Sequence, residues 1–91
     1  MYETQRLVFE SVAARGYVDG WLPKRLVERQ LIKAVEELGE VARCVFDGQE
    51  PPVEELADVV IPLMVAAEVL GEDLLQAVRE KVQDDVRRGV R

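Results

Sequence analysis

The length, composition and charge of the chain limit what it can be. It has 91 residues, 48% of them hydrophobic, with 12 Lys and Arg against 18 Asp and Glu and a formal net charge of -6. A chain this short buries only about 60 to 65% of its unfolded surface, which fits a single domain over residues 1–91 and favours self-association. The negative charge argues against nucleic acid and anionic membranes as partners, because both are bound through Lys and Arg.

The cysteine and histidine content limits redox and metal chemistry. With one cysteine, Cys44, and no histidine, the chain forms no internal disulfide and offers no soft ligand set for structural zinc. Its longest apolar run, residues 59–67, is shorter than the roughly 20 residues of a bilayer span, and no signal-peptide pattern follows Met1. We therefore expect a cytoplasmic protein without a membrane partner.

The first half of the chain predicts two helices, and no stretch alternates as a strand would. The first helix is expected to begin at a Thr4 cap and to end at Gly16. The second and longest runs from about Pro23 to Phe46. Its apolar face is predicted from residues spaced three or four apart, namely Val27, Leu31, Val35, Leu38, Ala42 and Val45.

The second half predicts two more helices after a break at residues 47–52, whose Gly and Pro residues turn the chain back so that helices two and three are antiparallel. The third, about Val53 to Leu70, is apolar on nearly every side from Val59 to Ala67. Such a helix is buried all round, which in a domain this small implies a second copy. The fourth, about Glu72 to Arg88, begins acidic and ends basic, as the helix dipole favours.

The most informative feature is a set of carboxylates on helices two and three. Glu37 with Glu40, and Glu55 with Asp58, are three positions apart, so each pair shares a helix face, and the hairpin brings the pairs together. Clustered carboxylates raise one another's pKa unless a cation neutralises them, and an all-oxygen set suits Mg²⁺ or Mn²⁺. Because Glu36 also lies four before Glu40, spacing does not decide whether Glu36 or Glu37 is a ligand. The alternative is that all are solvated surface acids.

The acids form the pattern E-E-x-x-E, from Glu36 to Glu40, followed one loop later by E-x-x-D, from Glu55 to Asp58. This pattern resembles the signature of the MazG-like all-α nucleoside triphosphate pyrophosphohydrolases. Lys33 before the double Glu, and the Gly39-Glu40-Val41-Ala42 segment, are similar to the family as well.

The last helix extends the resemblance, which covers about residues 7–89. Where the family often has K-x-x-x-N-x-x-R, this chain has Lys81, Asp85 and Arg88, with Asp in place of Asn. Pro62 is a second departure, since family members commonly have an ordinary helix former there. These two departures from the family pattern leave the identity of the substrate open.

The resemblance implies a four-helix MazG-like bundle, assembled as a homodimer or homotetramer, that cleaves a ribo- or deoxyribonucleoside triphosphate between its α and β phosphates. The products are a nucleoside monophosphate and pyrophosphate. The implied ligands of Mg²⁺, with Mn²⁺ as a substitute, are Glu37, Glu40, Glu55 and Asp58. The implied catalytic residues are Glu36 and Glu37, and the implied substrate-binding residues are Lys33, Lys81, Asp85 and Arg88.

Three alternatives to this function are open. Phosphoribosyl-ATP pyrophosphatase has a similar K-x-x-E-E-x-x-E segment, but its pattern usually has a His soon after the E-x-x-D acid, and this chain has none. A dUTPase-like specificity belongs to the same superfamily. A non-catalytic helical module that docks through its third helix is the alternative from another class.

Two aromatic residues of the first connector, Tyr17 and Trp21, are candidates to stack on a base. The alternative role for both is packing on the core of the domain.

Overall fold

The computed structural model describes residues 2–16, 22–50 and 53–89, and these contain helices and no strand. The helices are α1 (Tyr2–Ala14), α2 (Pro23–Phe46), α3 (Val53–Val69) and α4 (Leu74–Arg88). The all-α prediction is therefore confirmed. Three sets of predicted connector or stacking residues, Tyr17, Trp21 and the Pro51-Pro52 pair, lie outside the described residues.

The α2/α3 hairpin begins and ends where local chemistry dictates. Pro23 opens α2, where its missing N–H is no loss because the first turn has no intrahelical partner for that group. Gly48 follows the helix with φ of 81°, in the left-handed region that suits glycine. The N–H of Gln49 donates to the carbonyl of Cys44 at 3.0 Å, which closes the last turn.

Two helix starts differ from the sequence prediction. Thr4 lies inside α1 and does not cap it, because the helix already begins at residue 2 and Glu3 in its first turn suits the positive end of the dipole. Helix α4 begins at Leu74 and not at Glu72. Its N-cap is Asp73, whose Oδ1 accepts from the N–H of Gln76 at 3.1 Å and so satisfies a backbone donor.

Helix α3 is the centre of the fold, since it packs against each of the other three helices. Its second half supplies most of the core: Pro62, Met64, Val65, Ala66 and Ala67 are buried. The prediction that this helix is buried on all sides holds for that half. Val60, closer to the N-terminus, is 39% exposed, so a single chain does not cover the whole apolar segment.

Helix α2 meets α3 through a face that the sequence analysis did not select. The residues of α2 that are buried are Leu26, Gln30, Ala34 and Val41. The predicted stripe faces outward instead, with Val35 69% exposed and Leu31, Leu38 and Val45 exposed as well. The prediction was wrong about which face meets α3, because α2 has two apolar faces and the better-populated one lies away from its own chain.

A fully buried glutamine joins α1 to the turn between α3 and α4. Gln5 Nε2 donates to Glu68 Oε1 at 3.0 Å and to the carbonyl of Glu72 at 2.6 Å. Its Oε1 accepts from the N–H of Leu74 at 2.8 Å. Every polar atom of this amide therefore has a partner, as burial requires.

We expect Gln5→Leu to lower the free energy of unfolding by about 2 to 3 kcal/mol, because it leaves the Leu74 N–H and the Glu72 carbonyl without their partner. Urea denaturation followed by circular dichroism measures the change. Gln76→Leu is the matched control, since Gln76 is exposed and its side chain bonds to Glu80 on the same helix; its effect is expected within about 0.5 kcal/mol. Equal effects of the two variants would contradict the role given to Gln5.

The single chain is less compact than a typical domain of its length. Its radius of gyration is 14.9 Å, whereas a compact domain of this length has about 12 Å. Helix α4 contacts α1 and α3 but does not pack on α2 within the described residues, and Val78, Val82 and Val86 along it are exposed. Among the described helices, none has both the length and the apolarity that a bilayer crossing demands.

Candidate metal centre and adjoining cavity

Three of the predicted ligands meet across the α2/α3 hairpin. A carboxylate oxygen from each of Glu37, Glu55 and Asp58 lies within 4.8 Å of the other two. Glu37 and Glu55 are half-buried and Asp58 is exposed. Glu40, the fourth predicted ligand, is a neighbour of Glu37 and hydrogen-bonds to it, but it is not a member of this three-residue group.

The electrostatics of the group are centred on Glu37, whose carboxyl has a pKa raised above its ordinary value. Partial burial is the largest cause, followed by the negative charges of Glu40 and Asp58 and by the hydrogen bond with Glu40. Lys33, one turn earlier on α2, opposes the shift in pKa. The site therefore carries a repulsion between carboxylates that a divalent cation would relieve.

A cavity of about 300 Å³ lies between the end of α1, the first half of α2 and the middle of α3. None of the three converging carboxylates lines it, but Glu36, the residue before Glu37, does. Glu36 and Lys33, predicted as catalytic and substrate-binding residues, both line it. Its wall includes Pro62, which lies inside α3. Lys33 and the first Glu of the acidic motif thus line one open cavity.

The predicted substrate-binding residues of α4 lie elsewhere in the chain. Lys81 Nζ contacts Asp85 Oδ1 at 2.7 Å, and Arg88 contacts Asp84 at 3.3 Å, all on the surface of the same helix. Because α4 does not pack on α2 in the described part of the chain, one protomer does not bring these three residues to the carboxylate group.

Sequence reasoning missed three further residues that line the cavity, Arg15, Arg29 and Gln30. For Gln30, the sequence does contain a signal. Gln30 lies between Leu26 and Ala34 on the face of α2 that is buried, and a polar side chain in a row of apolar ones calls for an explanation. The position of Arg15 at the end of α1 becomes significant only when α1 is folded against α3.

Comparison of the chain with protein-family models, with curated proteins and with solved structures finds no match. The MazG-like assignment therefore depends on the motif and on the geometry of the residues that form it.

Proposed function

We propose that the chain is a Mg²⁺-dependent nucleoside triphosphate pyrophosphohydrolase of the MazG-like class. It would cleave between the α and β phosphates and release a nucleoside monophosphate and pyrophosphate. The observation that carries the proposal is the convergence of Glu37, Glu55 and Asp58 across the α2/α3 hairpin. An all-carboxylate set, including one group with a raised pKa, suits a hard divalent cation and is destabilised by repulsion without one.

The acidic residues of the site have two proposed roles, binding of Mg²⁺ and activation of the attacking water. Glu37, Glu55 and Asp58 would hold Mg²⁺, and the negative charge of the neighbouring Glu40 would add to the attraction for the cation. When bound, the ion neutralises the triphosphate and lowers the pKa of a water. Glu36 lines the adjoining cavity, where its carboxylate would orient the attacking water or accept its proton.

The cationic residues would bind the phosphates. Lys33 lies at the cavity and within electrostatic range of Glu37, which suits a point charge that contacts a phosphate oxygen. The substrate-binding role of Lys81, Asp85 and Arg88 stays a prediction. Within one protomer, α4 does not pack on α2 in the described residues. These three residues would therefore act on the carboxylate group of a neighbouring copy and not on that of their own protomer.

Self-association is the second part of the proposal. The outward face of α2 is an apolar stripe on an otherwise charged helix. Val35, Leu38 and Val45 on this stripe are more than half exposed in the single chain. A contiguous apolar surface of this kind marks an interaction site. Because α4 is also uncovered and the chain is expanded, we infer a homodimer or homotetramer in which a second copy covers the α2 stripe.

We expect Val35→Glu to convert the assembly to monomers, because it places a charge in the middle of the apolar stripe. Multi-angle light scattering should give wild-type protein a multiple of the 10.3 kDa protomer mass and the variant a single protomer mass. Ser11→Glu, an equivalent addition of charge at an exposed position on α1, is the control and should remain assembled. A monomeric wild-type protein at micromolar concentration would contradict the inference.

The activity is tested with a panel of ribo- and deoxyribonucleoside triphosphates and phosphoribosyl-ATP, each incubated with Mg²⁺ and with a chelator. We expect Mg²⁺-dependent release of pyrophosphate, and not of orthophosphate, from at least one nucleoside triphosphate. Calorimetric titration with Mg²⁺ separates the enzyme from a non-catalytic helical module, since a module should bind the ion weakly or not at all. Turnover of phosphoribosyl-ATP alone would favour the histidine-synthesis activity instead.

A further inference from the structure

Gln30 is a buried polar residue whose side chain has no hydrogen-bond partner among the residues that the structure describes. Its side chain lines the cavity and is 6% exposed, and it makes no hydrogen bond with any residue in the described ranges. No side-chain nitrogen or oxygen that is sealed from solvent lacks a partner in those ranges, so the amide of Gln30 must border open space. The space it borders is the cavity.

Comparison with Gln5 shows that this arrangement is specific to Gln30. Both glutamines are buried, but Gln5 uses both polar atoms in three hydrogen bonds that hold the fold together. On α2, the neighbours of Gln30 on the buried face are Leu26 and Ala34, so an apolar residue would fit the helix at no polar cost. The amide atoms of Gln30 are not sealed from solvent, so water can hydrate them, and a ligand that presents a matching donor and acceptor would take the place of that water.

The cavity walls indicate the chemistry of the ligand. Val12 and Ile61 supply apolar surface, Arg15, Arg29 and Lys33 bring positive charge to the lining, and Glu36 brings a negative one. A carboxamide presents one donor and one acceptor side by side, which is the complement of the hydrogen-bonding edge of a heterocyclic base. The cavity volume of about 300 Å³ is at the lower limit of small-molecule sites, enough for a base and not for a whole nucleotide.

The position of Gln30 relative to the carboxylates fits the same ligand. Gln30 and Glu37 are two turns apart on one face of α2, a separation of about 10 Å along the axis. A nucleotide separates its base from its distal phosphates over a comparable span. With the phosphates at the carboxylate group, the base would reach the Gln30 end of the cavity, while Lys33 and Glu36 line the part that is nearer to Glu37 along α2.

We propose that Gln30 is a specificity-determining residue whose amide binds the base of the nucleoside triphosphate in this cavity, an inference that rests on the function proposed above. Gln30→Leu keeps the size of the side chain and removes its hydrogen bonds. We expect the variant to lose the preference of the wild-type protein among the four nucleoside monophosphates, with a drop of about 10-fold or more in affinity for the preferred one. Its affinity for inorganic triphosphate with Mg²⁺ should be unchanged, because that probe has no base.

Thermal stability provides a readout that distinguishes a ligand-binding role from a structural one. Without nucleotide, Gln30→Leu should unfold at the same or a higher temperature than the wild-type protein, whereas loss of a structural amide would lower it. Gln76→Leu, at an exposed glutamine of α4, is the control and should keep the wild-type preference and affinity.

Retained base preference in Gln30→Leu, absence of any preference in the wild-type protein, or a less stable variant with unchanged nucleotide affinity would each overturn the inference. Failure of the proposed function is seen separately, as absence of pyrophosphate release by the wild-type protein from every triphosphate. Binding of the monophosphates is still measured in that case, so the two failures are distinguishable.

Discussion

Asp58→Asn is expected to reduce Mg²⁺-dependent pyrophosphate release by about 100-fold or more, because it removes the charge of one of three converging carboxylates. Glu40→Gln should also impair release, but by about 10-fold, since Glu40 acts on the group through its contact with Glu37. Both variants should keep their helical content. Their stability without metal should equal or exceed that of the wild-type protein, because repulsion between carboxylates is relieved.

A pyrophosphate-coupled assay at saturating Mg²⁺ gives kcat and KM, and circular dichroism checks the fold. Glu54→Gln is the matched control, since Glu54 is an exposed acid beside Glu55 that does not belong to the converging group. It should leave turnover within about twofold of the wild-type value. Undiminished turnover in Asp58→Asn would refute the assignment of the carboxylate group as the metal site.

The carboxylate group is the part of the site that sequence predicts well, because it depends on local geometry. Three-residue spacing fixes Glu55 and Asp58 on one face of α3, and the short break at residues 47–52 fixes the antiparallel return. Neither step requires knowledge of distant contacts. Glu37, which the motif selects over Glu36, is the member of the double Glu that joins the group.

The face of α2 that packs on α3 could not be predicted by the same reasoning. Periodicity identifies an apolar stripe, but it does not say whether the stripe contacts the same chain or another copy. The buried face contains Gln30 and small Ala34, so it scores as the less apolar of the two. A polar residue on the packing face thus makes that face harder to recognise from the sequence.

The position of α4 and the role of Gln5 depend on contacts distant in sequence. The partners of Gln5 are 63 to 69 residues away along the chain, so no local pattern marks it as buried. Likewise, a common helix face is predicted by the spacing of Lys81, Asp85 and Arg88. The ion pairs Lys81–Asp85 and Asp84–Arg88 on α4 agree with this spacing. The spacing does not predict that this face lies away from α2.

The raised pKa of Glu37 leads to a pH dependence of both metal affinity and stability. A cation needs the carboxylate form, so Mg²⁺ affinity should fall as the pH drops through the raised pKa, by up to about tenfold per pH unit for one coupled proton. In the metal-free protein, an acid whose pKa is higher in the folded state contributes stability below its unfolded pKa. That contribution is lost as the pH rises through the folded pKa, so metal-free protein is relatively less stable near neutral pH and Mg²⁺ should restore stability there.

Glu37→Gln tests both consequences, because the amide cannot ionise and is a poor ligand for Mg²⁺. At neutral pH without metal, the variant should unfold at a higher temperature than the wild-type protein, and added Mg²⁺ should no longer raise that temperature. Glu28→Gln, at an exposed acid earlier on α2, should keep the wild-type response to Mg²⁺. Thermal unfolding from pH 4 to 8, with and without Mg²⁺, measures all of these shifts. A Mg²⁺ response that persists in Glu37→Gln would contradict the assignment of Glu37 as a ligand of the ion.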